Sequence, residues 1–228
     1  MTLRDPYALP RLALAASLVV APIAYLVSTL AAPPLESNEA AQLAQMAAHA
    51  DRTYLFALLT IVGSMLLLPA TVALTQLSAR RSPWLAYLGG GLVALGVLVA
   101  IGDSFGLLWE WQMTARGSDR AQMAALLHRF DTVTSVALLF TIGGLALLAG
   151  CALLAAALWR SHAVPRWAAV ALPVGAVANI AGFSANSLAL LDASALVLLV
   201  AFMPAALKLV GIASARSELR QPLAEHAR

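Results

Sequence analysis

The stretch Thr132–Trp159, TVTSVALLFTIGGLALLAGCALLAAALW, contains 28 residues and no charged side chain. Asp131 precedes it and Arg160 follows it. As a helix it would span roughly 42 Å, which exceeds the roughly 30 Å hydrocarbon core of a bilayer. The stretch therefore predicts a membrane-spanning helix.

The composition extends this prediction to the whole chain. Of its 228 residues, 61% are hydrophobic and 11% are charged, with a mean hydropathy of +0.85. Soluble domains average about 25% charged residues, so the composition excludes a large soluble domain. The single cysteine, Cys151, excludes an internal disulfide and says nothing about the redox compartment.

Apolar segments recur along the chain and predict six spans within one membrane domain covering residues 1–228. The predicted spans cover about residues 12–32, 53–79, 83–107, 132–159, 166–184 and 189–212. The first is longer than the usual 7–15 apolar residues of a signal peptide, so we expect it to be retained. Backbone groups in lipid must bond internally, which predicts an all-α, polytopic helical bundle.

The basic residues alternate between the two sets of connections. The set that includes both termini carries ten basic and three acidic residues, whereas the other set carries four basic and eight acidic residues. Because basic residues favour the cytoplasmic side, this distribution predicts that both termini are cytoplasmic. It also explains the pI of about 9.5 without a nucleic-acid-binding surface.

An internal repeat divides the chain into three helical hairpins. Gln-Met-Ala-Ala occurs at 45–48 and again at 122–125, each time just before a histidine, an aspartate and a span. Prolines 10, 83 and 165 stand at the starts of the three hairpins. Since each hairpin contains two spans, the repeats are expected to lie parallel in the membrane.

The two longer outer connections predict short amphipathic helices on the outer face. Ser37 or Asn38 is expected to cap the first, with Leu43 and Met46 on its apolar face. Ser118 is expected to cap the second, whose apolar face is formed by the following residues: Met123, Leu126, Leu127 and Phe130. No such helix is expected in the last hairpin, because its connection is too short.

The six-span plan and Val164-Pro165-Arg166-Trp167 at the start of the fifth span resemble a family of small bacterial membrane proteins. Their domain is catalogued as one of unknown function. The resemblance implies a bacterial cytoplasmic (inner) membrane protein and implies no activity or functional residues.

Polar residues within or beside the spans are the candidate ligand-binding residues: Asp103, Trp109, Glu110, Asn179 and Asp192. Intramembrane acids usually face the bundle interior and mark a site, although Asp192 is equally interpretable as the cap of the sixth span. Trp109 has a second interpretation as part of an interfacial aromatic belt. For Asn179 the alternative is an interhelical hydrogen bond.

His49 with Asp51 and His128 with Asp131 occupy matching places in two repeats. Imidazole and carboxylate groups together suit zinc or another divalent transition metal, so these four residues are the candidate metal ligands. Their spacing matches no known metal motif, and helix caps and solvated polar faces are the structural alternative. No cofactor other than such a metal is suggested.

Three functions remain open. The first, which we favour, is a non-enzymatic membrane protein with a binding or transport function, which binds or carries a small lipophilic or weakly polar molecule through an outer-face polar cluster. The second is a metal-dependent membrane enzyme with a His/Asp site on the extracytoplasmic face. The third is an accessory or assembly subunit. The expected partners are the lipid bilayer and a helix of another protein or of a second copy, and no nucleic acid.

Overall fold

The computed structural model describes residues 8–36, 38–115 and 117–225, without the side chains of Ala8, Asp131 and residues 212–225. Within this part the chain forms helices and no strand. The helices are α1 (Ala8–Ala31), α2 (Glu39–Ala48), α3 (Ala50–Ala79), α4 (Pro83–Met113), α5 (Arg120–Asp131), α6 (Thr134–Ser161), α7 (Arg166–Ser184) and α8 (Leu188–Glu225).

Six of these helices are long and apolar enough to cross a membrane, which confirms the predicted fold class. The stretch quoted at the outset lies almost entirely in α6. Two helices extend well past the predicted ends of their spans, because α4 continues to Met113 instead of ending at 107 and α8 continues to Glu225 instead of ending at 212. No glycine or proline interrupts the chain between 107 and 113, so nothing local ends the helix there.

The spanning helices form a closed ring in the order of the chain. Each packs against the next spanning helix, and α8 returns to pack along α1. The pairs α1/α3, α4/α6 and α7/α8 correspond to the three hairpins of the sequence repeat. This arrangement leaves the centre of the bundle bounded by all six helices.

Four glycines allow α4 and α6 to approach closely. A Cβ on Gly89 would lie 2.7 Å from the backbone nitrogen of Leu154, and one on Gly150 would lie 2.5 Å from that of Val93. Two helical turns further along, a Cβ on Gly96 would lie 2.8 Å from the backbone oxygen of Gly143. These glycines of the third and fourth spans thus serve contacts within the chain.

The two ends of the bundle differ in charge. The basic end is formed by the start of α1, the α3–α4 and α6–α7 turns and the region of Lys208. The acidic end is formed by the other three connections. Arg11, Arg80, Ser161 and Lys208 border one shared pocket at the basic end, so these four chain regions do lie together.

The short helices α2 and α5 lie at the acidic end and contact each other. Asn38 caps α2, because its Oδ1 accepts hydrogen bonds from the amides of Ala40 and Ala41 at 3.0 and 3.1 Å. Asn38 is one of the two residues predicted for this cap. Ser37 lies outside the described residues. The predicted cap of α5 was wrong by one residue.

Asp119, and not Ser118, caps α5. The Asp119 carboxylate accepts from the amides of Ala121 and Gln122 at 3.0 and 3.3 Å. A carboxylate also favours the positive end of the helix dipole, which a hydroxyl does less well. In the last hairpin α7 ends at Ser184 and α8 begins at Leu188, so that connection has no helix, as predicted.

Candidate functional site

The centre of the bundle contains a cavity of about 100 Å³. Side chains of all six spanning helices line it, and most of them are aliphatic or aromatic. An apolar cavity of about 150 Å³ is known to bind benzene, so this smaller cavity suits a molecule somewhat smaller than benzene. Drug-sized ligands need roughly 300 Å³ or more.

Several hydroxyl groups line the cavity, and the described hydrogen bonds account for their protons. Thr60 and Thr71 each donate to the carbonyl four residues earlier, at 2.8 Å. Ser28 donates to the carbonyl of Tyr25 at 2.7 Å, and Ser194 donates across to Gly175 of α7 at 2.9 Å. These groups retain acceptor lone pairs but have no proton left to donate.

Asn179 is the exception among the polar residues of the cavity wall. It lies in α7, is half-buried, and lines the cavity. Its amide makes no hydrogen bond to another described residue, so the predicted alternative of an interhelical bond is not formed within this part of the chain. The amide thus offers two N–H donors and one carbonyl acceptor to whatever occupies the cavity.

Asp192 stands beside the cavity and contacts it through another residue. Because α8 begins at Leu188, Asp192 lies one turn inside the helix and does not cap it. Its Oδ1 accepts a hydrogen bond from Thr29 of α1, and Thr29 lines the cavity. Asp192 is half-buried, and this bond joins the first and last spans of the ring.

A second polar chain links α1, α3 and α4. The hydroxyl of Tyr25 is 2.5 Å from that of Ser64, and Ser64 is 2.9 Å from Ser104. Ser104 in turn donates to the carbonyl of Ala100 at 2.7 Å. Sequence reasoning missed this chain, although a tyrosine and two serines within uncharged spans were the available signal.

The other predicted ligand-binding residues lie outside the cavity wall. Asp103 and Trp109 are exposed on α4, and Glu110 is half-buried there. The 71% exposure of Trp109 is what an interfacial aromatic residue would show. Of the five candidates, Asn179 alone lines the cavity and Asp192 reaches it through Thr29.

The candidate metal ligands contact other groups. His128 Nδ1 is 2.9 Å from Glu39 Oε1 of α2, and His49 Nδ1 is 3.1 Å from the carbonyl of Gln45. Asp51 is exposed, and the side chain of Asp131 lies outside the described residues. Among the described side chains no three His, Cys, Asp or Glu residues group as metal ligands do, and the metal site stays a prediction.

The Glu39–His128 pair was not predicted. The hydrogen bond from His128, together with one from the backbone at the start of α2, lowers the pKa of Glu39. In the sequence, Glu39 counts only as one of the eight acidic residues in the second set of connections. Nothing in its sequence neighbourhood indicates a partner 89 residues away.

The fold defines the class of this protein. Six apolar spans around a common centre make it a multi-pass integral membrane protein in contact with lipid. No family model, curated protein or solved structure matches the chain, so the resemblance based on Val164-Pro165-Arg166-Trp167 remains a prediction.

Proposed function

We propose that this protein is non-enzymatic and binds or carries a small, largely apolar molecule with one hydrogen-bonding group. The observation that supports the proposal is the central cavity with Asn179 on its wall. Its aliphatic lining favours an apolar ligand body, and the unpartnered amide favours one polar group on it. The site is accordingly the bundle interior, in place of the outer-face cluster expected from the sequence.

The size of the cavity restricts the ligand. At about 100 Å³ it accommodates a five-membered ring or a short chain, each smaller than benzene, without rearrangement of the helices. An ionised ligand would meet no cation among the lining residues, so a neutral molecule is favoured. The Thr29–Asp192 contact lies between α1 and α8, where separation of two neighbouring helices would give the ligand a lateral path.

Two small aromatic compounds test the proposal. Furan and pyrrole have similar shapes and are smaller than benzene, and only pyrrole carries an N–H donor. In detergent-solubilised protein we expect pyrrole to raise the unfolding temperature more than furan does at equal concentration. Asn179→Leu should remove this difference and leave the effect of furan, because a lost hydrogen bond of about 0.5–1.5 kcal/mol weakens pyrrole binding about twofold to tenfold.

The matched control is Gln112→Leu, which replaces an exposed amide at the end of α4. This variant should behave like the wild type with both compounds. If neither compound stabilises the wild type, or if Asn179→Leu preserves the preference for pyrrole, the cavity is not the ligand site. Leu147→Phe, which reduces the cavity volume, provides a second test and should weaken both effects.

We further propose that the protein lies in a bacterial cytoplasmic membrane with the basic end and both termini in the cytoplasm. The support is the alternation of charge between the connections. A reporter fused at the C-terminus should lie in the cytoplasm, and the same reporter fused in the α4–α5 connection should lie on the other side of the membrane. A result that locates both reporters on the same side would contradict this orientation.

The two other hypotheses make separate predictions. A metal-dependent enzyme with His49, Asp51, His128 and Asp131 requires stoichiometric metal in the purified protein. An accessory subunit requires a co-purifying partner or a homo-oligomer. No contact within the described residues favours either over a ligand carrier.

A further inference from the structure

A second pocket lies at the basic end and is independent of the central cavity. It has a volume of about 230 Å³ and is bordered by the ends of α1, α3 and α6 and by α8. Its charged lining residues are all cations: Arg11, Arg80, Arg81 and Lys208. A cavity needs only about 10–15 Å³ to hold one water molecule, so this pocket is large enough for a much larger group.

Arg11 supplies the observation that points to a ligand. Its Nη1 is buried and has no hydrogen-bond partner among the described residues. A guanidinium remains charged at any physiological pH, and burying one of its donors without an acceptor is costly. A negatively charged acceptor within the pocket would satisfy this group.

The other polar side chains show which donors are available. Lys208 Nζ donates to the carbonyl of Ala163 at 2.9 Å, which fixes the ammonium group at the pocket wall with donors to spare. Ser161 already donates to Leu158 and accepts from Ala163, at 3.0 and 3.3 Å. Arg80 and Arg81 are exposed at the α3–α4 turn and extend the positive charge to the pocket opening.

Basic residues elsewhere at this end are engaged differently. The guanidinium of Arg166 lies over the ring of Trp159, 5.2 Å from its centre, and is not part of the pocket. Arg160 is exposed at the end of α6 and does not line it either. The pocket is therefore a specific grouping of four cations and is not a consequence of the general charge of this end.

We propose that this pocket binds a phosphate group. Guanidinium groups match phosphate oxygens through paired N–H donors, and an ammonium group adds a point charge. Basic pockets between transmembrane helices are suited to the headgroups of anionic lipids. A lipid headgroup and a free phosphate ion present the same chemistry, and the experiment separates them.

The first arm tests a lipid source by native mass spectrometry of the full chain in detergent. Phosphatidylglycerol and phosphatidylcholine are the probes, and we expect preferential binding of phosphatidylglycerol. Arg11→Gln should weaken that binding by about tenfold, because it removes charge-assisted hydrogen bonds. Arg160→Gln makes the same change of charge outside the pocket and should leave the affinity within about twofold of the wild type.

The second arm tests a free ion by measuring the unfolding temperature in sodium phosphate and in sodium chloride at equal ionic strength. A phosphate-specific stabilisation that Arg11→Gln abolishes and Arg160→Gln retains, without lipid preference, assigns the site to a free phosphate. If Arg11→Gln does not fold, Arg81→Gln replaces it and should show a smaller loss in the same direction. The proposal is overturned if neither probe binds, or if the pocket and control variants weaken binding equally.

Discussion

The helices α2 and α5 share the residues Gln-Met-Ala-Ala but bury them differently. Met46 of α2 is 1% exposed, whereas its counterpart Met123 in α5 is only half-buried. Leu43 is also buried in α2, while Leu126 and Phe130 of α5 are 48% and 55% exposed. Two similar sequences at the same end of the bundle therefore form one well-packed helix and one surface helix.

The spacing that follows the shared residues also differs, because three positions separate Met46 from His49 and five separate Met123 from His128. Met123 nevertheless stays on the more buried side of α5, where Met123, Ala124 and Leu127 are half-buried and the other side chains from 120 to 130 are exposed. Leu126, one of the two inserted leucines, is exposed and available to the interfacial region of the bilayer. The comparison teaches that a repeat in sequence sets which side of a helix faces inward, whereas the surrounding helices decide how deeply that side is buried.

Replacement of one leucine in α2 and one in α5 should give the largest difference in the free energy of unfolding. Leu43→Ala is expected to lower the free energy of unfolding by about 2–5 kcal/mol, because it leaves a void in a packed site. Leu127→Ala should lower it by about 1 kcal/mol or less, since that side chain is only half-buried. Unfolding by sodium dodecyl sulfate in mixed micelles, followed by circular dichroism, measures both. Similar losses in the two variants would show that α5 is as well packed as α2.

The two threonines that follow the histidines should show a smaller difference. Thr53 is fully buried, and its hydroxyl lies 3.3 and 3.1 Å from the carbonyls of Met46 and His49, so it joins the end of α2 to α3. Thr132 makes a similar bond to His128 at 2.9 Å but is exposed.

We therefore expect Thr53→Val to lower the free energy of unfolding by about 1–2 kcal/mol, because it leaves buried carbonyls less well satisfied. Thr132→Val should change it by about 0.5 kcal/mol or less, since water replaces the lost hydroxyl. The same detergent titration measures both variants. An equal effect of the two would indicate that burial at the α2–α3 junction does not strengthen the threonine bond.

The smallest expected effect concerns the contact between Glu39 of α2 and His128 of α5, which acid should weaken. The bond from His128 lowers the pKa of Glu39 in the folded protein. Its stabilising effect is therefore fully present above the unfolded pKa of about 4.3 and disappears as the pH falls through the lower, folded value. When the pH is lowered from 7 to about 2, well below the ordinary pKa of a glutamate, spin labels at Ala41 and Ala125 should report a broader distance distribution. Glu39→Gln should show the broad distribution at both pH values, and a wild type without pH dependence would contradict the role of this pair.

Much of the fold was predictable because the amino-acid composition of each segment indicates whether that segment can span a membrane. A bilayer requires about 20 apolar residues per helix and internal bonding of every backbone group, and both conditions can be checked along the chain. The N-cap of α5 was predicted at Ser118 and is Asp119. Serine and aspartate are both common N-cap residues, so the sequence alone does not decide between two such neighbours.

The candidate site was less predictable because it depends on which polar groups meet. Asn179 and Asp192 were recognised from their rarity inside apolar spans, but Thr29 was not, since a threonine in a span usually bonds to its own helix. The histidines were grouped by their matching repeat positions, yet His128 meets Glu39 and His49 bonds within its own turn.

The sequence by itself determined the class of protein, the number of spans and the alternation of charge between the two ends. These properties follow from the transfer of side chains and backbone between water and lipid, which acts on each segment separately. Only the tertiary structure decided that the ring closes through Thr29 and Asp192, that its centre contains a cavity, and that Arg11 Nη1 is buried with no hydrogen-bond partner among the described residues. Those properties depend on distances between residues far apart in the chain, and local patterns carry no information about them.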